Sequence, residues 1–175
     1  YDPLTTIRDN YKLKADKKWN IQGYMSYKFA KHFTARVDMG YESRHITTDR
    51  YYGPTTYFSR NTGRPGIEGG TAQIEVMDEK RSTLTNHNTL EWKQTFNNNH
   101  NVSVLVGEET VIRKGETQTE LGFGYKGNYD VEHGEIFNYM GQAAYSEFSN
   151  YINPRDNQLS FLARANYDYK GRYYL

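Results

Sequence analysis

The sequence contains no cysteine and no long apolar run, and its charges nearly cancel. Without cysteine, the chain has neither a disulfide framework nor a thiolate metal site. Without about eighteen consecutive apolar residues, a transmembrane helix is excluded. With 22 Lys and Arg against 21 Asp and Glu, the chain lacks the basic excess of a nucleic-acid-binding surface, so we expect no nucleic-acid partner.

Motifs for catalysis or cofactor binding are also scarce. Gly122, Gly124 and Gly127 have the spacing GxGxxG, but no apolar strand precedes them and no helix follows, which excludes a dinucleotide site. No serine lies in a GxSxG context. The histidines show no metal-ligand spacing; they are residues 32, 45, 87, 100 and 133. We therefore expect no cofactor, no metal and no enzyme activity.

What the sequence does contain is strict alternation of apolar and polar residues over long stretches. Residues 19–29 and 33–41 each alternate in this way, separated by a short break at Lys31-His32. A period of two indicates β-strands, and two such runs around a tight break predict a hairpin, here over residues 19–45. Each run is about twice the usual strand length of five or six residues. A strand of this length, tilted by about 45°, covers roughly 23 Å, close to the apolar band of an outer-membrane barrel.

The connections along the chain alternate in length. Further hairpins are predicted over residues 74–116 and 158–175, and long loops over 46–73 and 128–157, while residues 1–18 read as the end of a loop. Short periplasmic turns that alternate with long extracellular loops are typical of outer-membrane barrels. One residue, Glu108, falls on an apolar face, which we attribute to a strand end or a bulge. The predicted fold is all-β: an antiparallel up-and-down meander of about six long strands, a segment of a large transmembrane β-barrel.

At three places the residues resemble a known family. The segments NTLEWKQTF (88–96) and NVSVLVGEE (101–109) look like paired barrel strands of the SusC/RagA-type TonB-dependent outer-membrane transporters. QLSFLARANYDYKGRYYL (158–175) is similar to a strand-turn-strand that follows a long extracellular loop in this family, and YDPL (1–4) resembles a loop that enters a mid-barrel hairpin. The resemblance covers about half of the chain.

The resemblance implies a location and partners. The expected location is the outer membrane of a Gram-negative bacterium, in contact with the lipid bilayer, and the expected function is nutrient import energised by the TonB complex. The expected partners are a SusD-like surface lipoprotein and an oligosaccharide or peptide ligand. Neither a plug nor a TonB box is present in this piece, so we expect it to be part of a larger barrel.

Candidate binding residues lie in the loops and on the polar strand faces. Flat aromatic rings beside polar groups suit sugar rings, although the same residues could instead pack the loops together; these are Tyr51, Tyr52, Tyr57, Phe58, Arg60, Tyr129, Phe137, Tyr139, Tyr145 and Tyr151. A second set, expected to face the lumen or a plug, comprises Arg36, Asp38, Glu42, His87, Glu91, Arg164 and Asp168.

Two other classes of function stay open at the level of sequence. One is a binding or adhesin module for glycans, built as a receptor-like barrel or as a soluble β-sandwich with one wet face. The other is an outer-membrane hydrolase, for which Glu108 and Glu109 are the candidate acids. An upstream plug and TonB box would favour the transporter over both.

Overall fold

The structure, a computed structural model, describes residues 3–60, 63–127, 129, 131, 134–171, 173 and 174, the last two without their side chains. Some residues used in the sequence analysis lie outside this description: Tyr1, Asp2, His133 and Leu175.

The described residues form one antiparallel sheet of long strands. The sheet order is β1-β2-β3-β4-β6-β7, and β5 also pairs with β4. This confirms the predicted all-β meander. The strands are β1 (Asn10–Phe29), β2 (Phe33–Tyr52), β3 (Ala72–Phe96), β4 (His100–Tyr125), β5 (Tyr145–Ile152), β6 (Asp156–Tyr169) and β7 (Tyr173–Tyr174), with helices α1 (Pro3–Arg8) and α2 (Tyr57–Arg60) and 3₁₀ helices at Glu135–Asn138 and Met140–Gln142.

Short turns separate the strands of each hairpin. Ala30 and Lys31 have φ values of 47° and 61°, and Asn97 and Asn98 have 48° and 56°. Such left-handed backbone matches the twist of the flanking strands in a tight hairpin. The other connections are longer, and we call residues 53–71 the first loop and residues 126–144 the second loop.

Three segments predicted as loop contain regular structure. Residues 1–18 were expected to be loop, but α1 occupies Pro3–Arg8 and β1 begins at Asn10. The apolar positions continue there through Tyr11, Leu13 and Ala15, but Lys17 interrupts them just before Trp19. The predicted loop 128–157 likewise contains β5, which is antiparallel to residues 116–123 of β4. The predicted loop 46–73 begins only after residue 52, where β2 ends, and it contains α2.

The explanation given for Glu108 is wrong. The pairing of β4 with β6 runs without interruption from His100 opposite Tyr169 to Arg113 opposite Asp156, and Glu108 lies opposite Phe161 within it. The position is therefore neither a strand end nor a bulge.

The strands contribute to two compact units. The first unit comprises residues 1–17, 44–80 and 115–153, and the second comprises residues 18–43, 81–114 and 154–175.

One face of the sheet in the second unit is apolar and exposed. Ring pairs line it, with centroids 5.5 Å apart for Phe29 and Phe33 and 5.3 Å apart for Trp19 and Tyr41. Large apolar side chains on this face are 37–76% exposed: Trp19, Ile21, Met25, Tyr27, Phe29, Val37, Met39, Tyr41, Leu84, Leu90, Phe96, Val106, Leu159 and Phe161. A protein surface this apolar needs an apolar environment or a partner.

The first unit has a small buried core. Ala72, Ile74, Tyr125 and Ile136 form it, and Ile136 is completely buried. The second loop packs against this core through the partly buried side chains Tyr129, Val131, Phe137, Tyr139, Met140 and Ala143.

The two loops pack on opposite faces of the sheet in the first unit. The ring of Phe58, in the first loop, lies 4.9 Å from that of Tyr52, and its carbonyl oxygen accepts a hydrogen bond from Gln73 Nε2 at 2.8 Å. The second loop belongs instead to the core that Tyr51 and Ile74 contact. Tyr51 and Tyr52 are consecutive strand residues, as are Gln73 and Ile74, and consecutive strand side chains point to opposite faces.

Candidate functional site

A polar concave site lies on the second unit. Arg36 lines it and donates two hydrogen bonds to Asp38: Nε to Oδ2 at 2.8 Å and Nη2 to Oδ1 at 2.6 Å. The guanidinium carbon also lies 4.3 Å from the ring centroid of Tyr24. A planar guanidinium suits both contacts, because it can form two hydrogen bonds to one carboxylate while its flat face stacks on an aromatic ring.

The same concavity has a volume of about 440 Å³ and is lined by uncharged hydrogen-bonding groups as well as charges. Glu42 forms a salt bridge with Lys18, in which Lys18 Nζ lies 2.9 Å from Glu42 Oε2. The structure thus brings together four of the residues expected to face a lumen or a plug: Arg36, Asp38, Glu42 and His87.

The other three residues of that set lie away from this concavity. Glu91 forms a salt bridge with Lys93, with Oε1 2.7 Å from Nζ. Arg164 lies opposite Leu105 in the β4–β6 pairing. The Asp168 carboxylate accepts a hydrogen bond from the Gly171 backbone N–H at 2.8 Å. Asp168 therefore holds the turn that follows β6.

In the first unit, the first loop is fixed at its start by Asp9. The carboxylate of Asp9 accepts hydrogen bonds from Thr55 at its backbone N–H (2.8 Å) and its Oγ1 (2.6 Å). The fixed start positions α2, whose side chains Tyr57 and Phe58 are 62% and 56% exposed. Arg60, at the end of α2, is exposed as well.

Arg64 attaches the first loop to β5, a contact that the sequence analysis missed. Its Nε lies 2.6 Å from Glu147 Oε1, and its Nη2 donates to Oε2 at 2.7 Å. The guanidinium carbon lies 4.8 Å from the ring centroid of Phe123. The hydrogen bonds from Arg64 hold the pKa of the Glu147 carboxyl below its usual range. Arg64 and Glu147 are 83 positions apart in the sequence, so no local pattern could have paired them.

Most of the predicted aromatics in the second loop pack against other rings. Tyr129 lies 5.8 Å from Tyr125 and 5.8 Å from Tyr139, measured between ring centroids. Phe137 lies 6.3 Å from Tyr11. The hydrogen bond that Tyr139 Oη donates to Glu135, at 2.9 Å, raises the pKa of this phenol. These rings stabilise the loop itself.

Of the remaining predicted aromatic residues, some pack against other side chains and one is largely exposed. Tyr51 contacts the core, and Tyr145 lies 6.1 Å from Phe123 between ring centroids. Tyr52 donates a hydrogen bond to Glu75 at 3.3 Å. Tyr151, in β5, is 60% exposed. The ten predicted loop residues therefore do not form one continuous surface.

The position of the first loop is expected to depend on pH through the Arg64–Glu147 contact. Because the pKa of Glu147 is lowered from 4.5, the contact stabilises the folded state above pH 4.5 and is lost as the pH falls through the lowered pKa. We expect hydroxyl-radical footprinting to show residues 63–70 protected at pH 7 and more reactive well below pH 4.5. Glu147→Gln should give the reactive pattern at pH 7, whereas Glu120→Gln, at an exposed carboxylate of β4, should not. Equal patterns in both variants would contradict the assignment.

Within the described ranges, no helix is long and apolar enough to cross a membrane. Among the same residues, no group of three or more His, Cys, Asp or Glu side chains is placed to hold a metal ion.

The comparisons with known proteins concern the fold. No protein-family model matches the sequence, and no curated protein matches it. Three solved structures of RagAB do match the fold. The RagAB peptide transporter superposes with a TM-score of 0.72 at 16% identity over 95% of this chain. The RagAB peptide importer matches in its closed-closed state with a TM-score of 0.70 and in its open-open state with 0.67, each at 16% identity over 93% of this chain.

This chain has the fold of a segment of RagAB. It spans 17% of the length of each matched RagAB chain. The resemblance to SusC/RagA-type transporters that the sequence predicted is thereby confirmed at the level of fold.

Proposed function

We propose that this chain forms part of the wall of an outer-membrane importer of the SusC/RagA type. The observation that carries the proposal is the apolar, aromatic-lined face of the second unit, which is exposed, with a polar concavity lined by Arg36, Asp38 and His87. Apolar side chains toward lipid and polar ones toward the lumen are the pattern of a transmembrane β-barrel wall. The fold of RagAB supports the same reading.

The role proposed for the chain is structural and binding, not catalytic. The wall separates lipid from a polar path, and the loops contact the nutrient or a SusD-like surface lipoprotein. Import is energised by the TonB complex. The carboxylates Glu108 and Glu109 have no role as a catalytic pair in this proposal, because they are consecutive strand residues and point to opposite faces.

Cell fractionation tests the location. An antibody raised against residues 134–152 should detect the protein in the outer-membrane fraction and should label intact cells, because these residues belong to the proposed extracellular side. Detection in the soluble fraction would overturn the proposal and favour the β-sandwich that binds glycans.

For the substrate we propose oligosaccharides, bound in part by Tyr57 and Phe58 of the first loop. Both rings are more than half exposed and their centroids are 6.0 Å apart, and each offers an apolar surface on which a sugar ring can stack. A peptide is the second candidate, favoured by the fold similarity to a peptide importer.

Replacing either ring tests this assignment. We expect Tyr57→Ala or Phe58→Ala to weaken oligosaccharide binding by roughly 2- to 12-fold, because one aromatic contact contributes about 0.5–1.5 kcal/mol. Leu4→Ala removes an equally exposed apolar side chain from α1 and should leave binding unchanged. Calorimetry with the purified protein and two ligand pools, mixed oligosaccharides and mixed peptides, measures the effect. Binding of peptides alone would replace the substrate proposal with the second candidate.

A further inference from the structure

A patch of polar side chains interrupts the apolar face of the second unit. A Cβ atom built on Gly107 of β4 would lie 3.1 Å from Thr89 Cγ2 and 3.2 Å from the Asn88 carbonyl oxygen of β3. These contacts place Thr89 opposite Gly107, and antiparallel register then places Asn88 opposite Glu108. Two residues further along, Asn86 and Thr110 face each other in the same way, and side chains two apart share a face. We call the four side chains the polar patch: Asn86, Asn88, Glu108 and Thr110.

Apolar side chains surround the polar patch. In the pairing of β4 with β6, Glu108 lies opposite Phe161 and Thr110 opposite Leu159, and these two apolar side chains are 76% and 58% exposed. Along the same strands, residues two positions before or after the patch are also apolar and exposed: Leu84, Leu90 and Val106. The patch therefore lies within the apolar band.

The hydrogen bonds within the polar patch leave some of its acceptor atoms without a donor. Thr110 Oγ1 donates to Glu108 Oε1 at 3.3 Å, which uses one of the lone pairs of the carboxylate. Asn86 Oδ1 is buried and accepts no hydrogen bond from any described residue. A buried acceptor without a donor and a carboxylate among apolar groups are both costly. In membranes such groups mark contacts with other polar side chains.

We propose that the polar patch binds a membrane-embedded segment of a different protein that places an Arg or Lys side chain against Glu108. The proposal rests on the membrane location proposed above. A cation is the natural complement of a carboxylate in a low-dielectric environment.

The same apolar face of a second copy of this chain does not supply that cation. The apolar face consists of the odd positions of residues 19–29, 33–41 and 159–169 and the even positions of residues 84–96 and 102–110, and these described positions include no Lys or Arg. Two such faces in contact would bring a second carboxylate to the interface instead, and two like charges close together disfavour ionisation.

Photo-crosslinking in the native cells tests the proposal with the full protein. The photoreactive residue benzoylphenylalanine replaces Val106, beside the patch, or Ile21, on the same face but on β1. We expect a discrete adduct from position 106 and none from position 21, with the crosslinked peptide inside a membrane-spanning segment. Glu108→Leu should reduce the adduct at least tenfold, and Asn86→Leu should reduce it less.

A charge exchange decides whether the contact is the one proposed. Glu108→Arg should abolish the adduct, and changing the crosslinked Arg or Lys of the partner to Glu in that background should restore it. An adduct of two copies of this protein, adducts with lipid alone, or an adduct that Glu108→Leu leaves unchanged would overturn the proposal. Fractionation of the same cells distinguishes failure of the proposed function from failure of the polar-patch contact. If the protein is absent from the outer membrane, both are overturned. If it is inserted but forms no adduct, only the polar-patch contact is overturned.

Discussion

Replacing Met25 by arginine is expected to remove most of the folded, membrane-inserted protein. Met25 lies in the middle of the alternating run 19–29 and is 76% exposed on the apolar face. An arginine on the lipid-facing side of a barrel costs about 2–4 kcal/mol near the bilayer midplane. That corresponds to a roughly 30- to 700-fold shift of the folding equilibrium.

The neighbouring residue provides a matched control. Ser26→Arg introduces the same side chain one position along β1, where it points to the polar face. We expect this variant to fold as well as the wild type. Urea unfolding of the full protein in lipid vesicles, followed by heat-modifiable migration in gels, measures both variants. A similar loss of stability in both would mean that the apolar face does not contact lipid.

Strict alternation made the central part of the fold predictable. Residues 19–29 and 33–41 alternate without a break, and the hairpin follows from the tight turn between them. β1 also includes residues 10–18, where the apolar positions continue until Lys17 interrupts them. The neighbouring charges lie on the polar face: Lys18 lies 2.9 Å from Glu42, within the second unit, and Arg44 Nε donates to Asp16 at 3.0 Å, within the first. A single charge at an apolar position is enough to hide the first half of β1 from a search for strict alternation.

The candidate site was predictable only in part, for a similar reason. Arg36 and Asp38 are two positions apart on one strand, so a shared face follows from the period of two. The two loops lie on opposite faces because Tyr52 contacts the first loop and the preceding residue, Tyr51, contacts the second. The face on which each loop packs is determined by contacts between residues far apart in sequence, such as the salt bridge between Arg64 and Glu147.

The order of the second loop is expected to depend on a single apolar side chain, Ile136. This side chain is completely buried among Ala72, Ile74 and Tyr125. Ile136→Ala leaves a cavity there, and such substitutions cost about 2–5 kcal/mol. The amide of Tyr139 donates to the Ile136 carbonyl oxygen at 3.0 Å and reports local opening. Its hydrogen exchange should accelerate, by as much as roughly 30- to 4,000-fold if the whole cost falls on local opening.

A second isoleucine gives the control for this experiment. Ile152 at the end of β5 is 71% exposed, so Ile152→Ala should change stability by no more than about 0.5 kcal/mol. The amides of Gln142 and Ala143, which donate to the Tyr139 and Met140 carbonyl oxygens, should accelerate with that of Tyr139 in Ile136→Ala only. If all three amides exchanged at wild-type rates in Ile136→Ala, backbone hydrogen bonds rather than the buried side chain would hold the loop. Acceleration confined to this variant would instead show that the aromatic rings of the second loop are ordered by the core beneath them.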